Sequence, residues 1–90
     1  MKRMECYKGI LAELEEGQEG LSLVMVPLDT PAENRQDPMV QFVFHTGTDT
    51  QFRLSQEALT EGVELNIYHK GISTRSIPPQ GVALEVRPLQ

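Results

Sequence analysis

Val63-Glu64-Leu65-Asn66-Ile67-Tyr68-His69 alternates apolar and polar side chains. A period of two puts Val63, Leu65 and Ile67 on one face of an extended chain, with Glu64, Asn66 and Tyr68 on the other. A helix would need apolar residues three and four apart. The segment therefore predicts a half-buried strand with Val63, Leu65 and Ile67 inward and Tyr68 outward beside Asn66.

The same period recurs on both sides. Upstream, Tyr7 to Glu15 places Ile10, Ala12 and Leu14 on one face, and Gly9 suits a bulge or bend. Gly17-Gln18-Glu19-Gly20 predicts a turn into Leu21–Val26, so the two segments form a hairpin. Val40-Gln41-Phe42-Val43-Phe44 predicts a third strand, with Val40, Phe42 and Phe44 on one face. His45 to Thr50 leaves it through a Gly-containing turn, and Gln51 to Leu54 resumes pairing briefly.

Gly and Pro punctuate these strands. Pro27 to Pro38 holds three prolines and no periodicity. It predicts an exposed, mobile loop without a regular element. Ser55 to Gly62 predicts one or two helical turns. Ser55 is their N-cap, Glu57 sits near the positive end, and Gly62 adopts the left-handed exit. Leu59 then plugs the interior. Downstream, Ile72 to Ile77 crosses over, Pro78-Pro79 halts pairing, Gly81 turns the chain back, and Val82 to Val86 closes the sheet.

Five strands with a short helical turn between the third and fourth predict an all-β fold, a five-stranded OB-like barrel. The pattern also fits an SH3-like barrel or an open sandwich. Ninety residues suffice for one domain, here 7–90 behind an N-terminal extension 1–6. The lone Cys6 excludes an internal disulfide and a multi-cysteine zinc site. No apolar run approaches the ~20 residues of a membrane-spanning helix. Met1-Lys2-Arg3-Met4-Glu5-Cys6 has no apolar core, so it does not read as a secretory signal, and the compartment stays open.

The net charge of −5, with basic residues scattered along the chain, disfavours nucleic acid as a partner. His45 and His69 fall at strand ends and read as surface or turn residues. Ser55, Ser73 and Ser76 lie outside any nucleophile-elbow motif. Asp49 has no metal-ligand spacing to either histidine. Glu13, Glu15, Glu16 and Glu19 read as a solvated hairpin, with nothing to raise the pKa of Glu13 or Glu15. Cys6 reads as a buried or N-terminal bystander. No catalytic residue, metal or cofactor is predicted.

What remains is a binding site. Arg53, Lys70 and Arg75 read first as charges dispersed in solvent. The alternative is that they gather near the connection between the last two strands with the outward Tyr68, and that Arg75, Ser76 or Gln80 touches a ligand there. Such a group suits a small anion or a peptide carboxylate.

Phe52, Ser55, Leu59, Gly62-Val63-Glu64-Leu65, Gly71-Ile72 and Ser76-Ile77-Pro78-Pro79-Gln80-Gly81-Val82-Ala83 resemble the YobA-like family of Gram-positive bacteria. A looser likeness lies at Tyr7-Lys8-Gly9-Ile10. The family's closing motif has Tyr where Ile77 stands. The resemblance implies a small OB-like barrel and an association with the cell envelope, and it implies no activity.

These readings converge on a non-enzymatic binding or interaction module with a protein or peptide partner, either a monomer or a weak homodimer. A rival is an oligosaccharide- or nucleic-acid-binding OB domain, which requires exposed aromatics among Phe42, Phe44 and Tyr68. A third reading, a small hydrolase, requires a histidine joined to a serine or a carboxylate.

Overall fold

Period-two segments bounded by Gly and Pro become six strands in the computed structural model, which describes residues 3–89. They are β1 (Glu5–Glu16), β2 (Leu21–Pro27), β3 (Phe42–His45), β4 (Gln51–Phe52), β5 (Glu64–Ser73) and β6 (Gln80–Pro88). Single 3-10 turns lie at Ala32–Asn34 and Gln56–Ala58. Among the described residues no helix is long and apolar enough to cross a membrane.

β1 pairs antiparallel with both β2 and β5, β2 with β3, and β5 with β6. A parallel pairing of β3 with β6 then closes the ring β1-β2-β3-β6-β5. The fold is a closed five-stranded β-barrel, as the alternation predicts, with β4 added in parallel on β6. Barrel pairing begins at Glu5 and Cys6, opposite His69 and Tyr68, within the segment assigned to the extension.

The interior holds Leu11, Leu23, Met25, Phe44, Leu65, Ile67, Ala83 and Val86, all essentially buried. Leu65 and Ile67 point inward as expected, and Val63 packs against them from just before β5. Leu59 is buried in this core, as a plug should be. Gly62 has φ +95°, the exit conformation that favours glycine. The turn that it ends is a single 3-10 turn, and Ser55 makes no side-chain cap hydrogen bond, contrary to expectation.

The inward face of β1 differs from the reading of its alternation. Leu11, not Ile10 and Ala12, enters the barrel core. Ile10 and Ala12 join Val24, Val26 and Val43 in a second buried cluster, and Leu14 is exposed. Both faces of β1 and β2 are covered, so alternation alone cannot say which is inside. The register also slips from Leu11↔Met25 to Glu13↔Val24, which puts the bulge at Ala12 rather than Gly9. Gly9 serves a close approach instead. A Cβ there would lie 2.4 Å from the Val26 carbonyl oxygen and 2.6 Å from the Tyr7 ring.

Residues 28–41 form successive turns and are not a featureless loop. Turn hydrogen bonds run from Thr30 N to Pro27 O, Asn34 N to Pro31 O and Val40 N to Asp37 O. Arg35 Nε donates to Thr30 O at 3.2 Å, and Gln41 Nε2 donates to Arg35 O at 2.8 Å. Proline excludes this chain from a ladder, but its fixed φ suits successive turns. Val40 ends this run of turns and packs on the second cluster, so β3 starts later than predicted, at Phe42.

The expected crossover at Ile72–Ile77 is a hairpin. Ile72 pairs with Gly81 and Ser73 with Gln80. Gly81 is therefore a strand residue, not a turn. A Cβ there would lie 3.0 Å from Gly71 O.

Candidate functional site

Leu65, Ile67 and His69 face the interior, so the alternation of β5 turns Asn66 and Tyr68 outward. On β6, Glu85 lies opposite Tyr68 and Arg87 opposite Asn66. β4 sets Gln51 opposite Glu85, and the Arg53 N–H then donates to Val86 O at 2.8 Å. Arg53, Asn66, Tyr68, Arg87 and Pro88 thereby line one open groove of about 390 Å³.

Charge in the groove centres on Glu85. Its side chain is only 14% exposed, against 56% for Arg53 and 50% for Arg87. Arg87 Nε donates to Glu85 Oε2, and an Arg53 guanidinium nitrogen lies 3.7 Å from Glu85 Oε1. Arg53 also donates to Gln51 Oε1 at 2.7 Å. The hydrogen bond to Glu85, and then its charge, hold the Arg87 pKa above its ordinary value. The Arg87 guanidinium carbon stands 5.4 Å from the centroid of the Tyr68 ring, within cation–π range. On the neighbouring strand Lys8 lies opposite Asn66, and Cys6 Sγ contacts Asn66 Oδ1 at 3.7 Å. Cys6 is exposed, not buried.

Of the residues expected at the site, Arg53 and Tyr68 come together. The others lie toward the far end of the β5–β6 hairpin. Lys70 and Gln80 border a shallow groove with Ile72 and Val82. Arg75 and Ser76 are exposed in the connection, where Ser76 Oγ donates to Pro78 O at 3.4 Å. Lys70 and Arg75 do not line the groove that holds Arg53, because hairpin pairing carries residues 70–80 toward the other end of β5 and β6. Arg87 was missed. Its signal was its spacing of two from Glu85, hidden by ending the last strand at Val86.

Gln80 takes part in a different cluster. Its Oε1 lies 2.8 Å from His45 Nε2, and Ser22 Oγ lies 2.9 Å from His45 Nδ1. A proton on Nε2, donated to the Gln80 oxygen, leaves Nδ1 to accept from the Ser22 hydroxyl. Ser22 and His45 are direct partners across β2 and β3. Sequence alone offered no sign of this, since the contact depends on register. Ser22, at 6% exposure, and His45 border a second groove with Gly17 to Gly20 and Thr46.

His69 is not a surface residue. It is 4% exposed, with its ring centroid 5.3 Å from that of Phe44, because β5 continues past it to Ser73. Among the described residues its Nδ1 finds no hydrogen-bond partner, and neither does the buried Tyr7 hydroxyl. Desolvation pushes the Tyr7 phenol pKa up. Tyr7 packs on Phe42 and Phe44, with centroids 5.0 and 5.2 Å away. Phe44 is fully buried and Phe42 packs on the core, so Tyr68 is the outward ring of the three expected candidates.

The Glu13 carboxyl is held above its ordinary pKa by a side-chain hydrogen bond with Glu15, and then by the charges of Glu15 and Glu61. This corrects the expectation that nothing perturbs it, although the group stays in solvent. Among the described residues no three acidic, His or Cys side chains are placed to hold a metal ion. Neither a family model nor a curated protein nor a solved structure matches this chain.

Proposed function

We propose that this chain is a non-enzymatic binding module of the OB type that meets a protein or peptide partner across the outer face of β5 and β6. One observation carries the reading. Arg53 and Arg87 share a groove with the outward Tyr68, over a half-buried Glu85, in a chain of net charge −5. Aromatic and arginine side chains are the types that dominate binding energy at protein interfaces.

The OB assignment rests on the circular strand order, in which the third and fifth barrel strands are the parallel pair. OB domains that bind oligonucleotides or oligosaccharides use the face of their second and third strands. Here Val24, Val26 and Val43 are buried in a cluster on which Val40 packs. A single outward ring also gives little platform for stacking successive bases or sugars. The resemblance of residues 52–86 to the YobA-like barrels fits the OB assignment and adds no chemistry.

Panning a random peptide library on the immobilised protein tests the proposal. The wild type should enrich sequences that an Arg53→Ala, Arg87→Ala double variant does not retain. Identical enrichment by both proteins would remove this face from consideration.

The Ser22–His45–Gln80 chain favours a second reading, a small hydrolase. An amide orients the catalytic imidazole in Cys–His–Asn enzymes, so Gln80 is a competent orienting group. Against this, Ser22 is buried, and a neutral amide does less than a carboxylate for a forming imidazolium. Turnover of p-nitrophenyl acetate that disappears in Ser22→Ala would establish this reading and displace the first.

A further inference from the structure

Resting on that reading of the β5–β6 face, we infer that its groove takes a carboxylate group carried on an aromatic or apolar body. The site already holds one carboxylate between its two guanidinium groups. Glu85 presents Oε2 to Arg87 and Oε1 toward Arg53. Each guanidinium has five N–H donors in a planar fork. Arg87 spends one on Glu85. Arg53 spends one on Gln51 and stands off Glu85 at 3.7 Å. The unspent donors belong to half-exposed side chains at the mouth of the groove.

Charge selects the class of anion. Arg53, Arg87 and Lys8, which stands opposite Asn66 on the adjoining strand, face Glu85 and the outward Glu64 two residues from Asn66, which leaves a single positive charge in excess. A monoanionic carboxylate matches that excess. A phosphate dianion needs more positive charge and meets more repulsion from Glu85. The planar carboxylate also matches the guanidinium fork. The Tyr68 ring and Pro88 supply an apolar wall, and about 390 Å³ accommodates a ring or one to two residues beside the carboxylate. The chemistry is shared by a peptide C-terminus and a free organic acid.

The test is an NMR titration of the 15N-labelled protein with benzoate, benzamide, inorganic phosphate, N-acetyl-Ala-Ala-Phe acid and its C-terminal amide. The acids should shift the amides of Asn66, Tyr68 and Arg87. They should bind about tenfold more tightly than their neutral counterparts, given the strength of charge-assisted hydrogen bonds. Arg87→Gln should weaken them by a similar factor. Glu85→Gln, which removes the internal competitor, should tighten them, an effect that a merely structural Glu85 would not produce. A tighter peptide acid than benzoate identifies a peptide C-terminus, and the reverse order identifies a free organic acid. Equal binding of acids and amides, stronger binding of phosphate, or no tightening in Glu85→Gln would overturn the inference. Peptides that need the arginines but ignore amidation would sink the carboxylate and spare the binding module. Loss of both results would sink both.

Discussion

Gln80 and His45 join the one parallel seam that closes the barrel, with Gln80 Oε1 2.8 Å from His45 Nε2. Only three residue pairs make that seam, Val43↔Gln80, Phe44↔Gly81 and His45↔Val82. Parallel pairs are slightly weaker per residue than antiparallel ones. A side-chain bond across so short a seam therefore counts. Gln80→Ala should cost about 1 kcal/mol, the typical net worth of a hydrogen bond. For a domain of this size that lowers Tm by about 4–8 °C, measurable by circular dichroism. An unchanged Tm would mean that the seam holds without it.

Tyr7 carries a buried hydroxyl without a partner. Tyr7→Phe removes that unsatisfied group and keeps the ring against Phe42 and Phe44, so it should stabilise the fold by about 1 kcal/mol. Urea denaturation would measure the change.

The same burial sets a pH dependence. Burial raises the folded-state pKa of Tyr7 above 10.0, the ordinary value. Below that value both states keep the proton, and the stability is fully present. Above it the unfolded chain ionises first, so stability falls as pH rises. Tyr7→Phe should flatten the decline above about pH 10. An identical alkaline limb in both proteins would contradict this.

Gly9 pairs with Pro27 at the end of the β1–β2 ladder. Gly9→Ala would press a methyl group onto the Val26 carbonyl and the Tyr7 ring. Overpacking of this kind costs about 1–3 kcal/mol, because the obstacle is backbone as well as side chain. A neutral result would show that the β1–β2 ladder yields easily.

Leu59 and Met39 form a contrasting pair. Leu59 is 5% exposed and Met39 is 73% exposed. Leu59→Ala opens a cavity in the plug and should cost about 2–5 kcal/mol. That is a large share of the 5–15 kcal/mol typical of small proteins. Met39→Ala should stay within about 0.5 kcal/mol. Chemical denaturation of the two variants side by side checks the assignment of inside and outside.

In solvent on β1, the neighbouring Glu15 carboxylate holds the Glu13 carboxyl above its ordinary pKa. Glu15→Gln removes the charge that raises the Glu13 pKa, so the Glu13 carboxyl should titrate lower. Carboxyl-carbon NMR reads the shift directly. A raised folded pKa means that Glu13 disfavours the fold as it ionises with rising pH, and the variant should lessen that loss.

What the amino-acid order determined by itself was local. Alternation at 63–69 turned Leu65 and Ile67 inward and Tyr68 outward, because successive side chains on a strand must point to opposite faces. Gly62 marked the left-handed exit, and the apolar Leu59 just before it supplied the plug. The tertiary structure decided everything that depends on which strands meet and in what register. Burial on both faces of β1 left the choice to packing, which put Leu11 rather than Ile10 and Ala12 in the barrel core. Hairpin pairing carried Lys70 and Arg75 away from Arg53 and brought in Arg87. The same pairing carried His69 into the interior, and parallel closure set Ser22, His45 and Gln80 side by side. Pairing joins residues far apart in the chain, and a shift of one position exchanges the two faces of a strand. No local period encodes that choice.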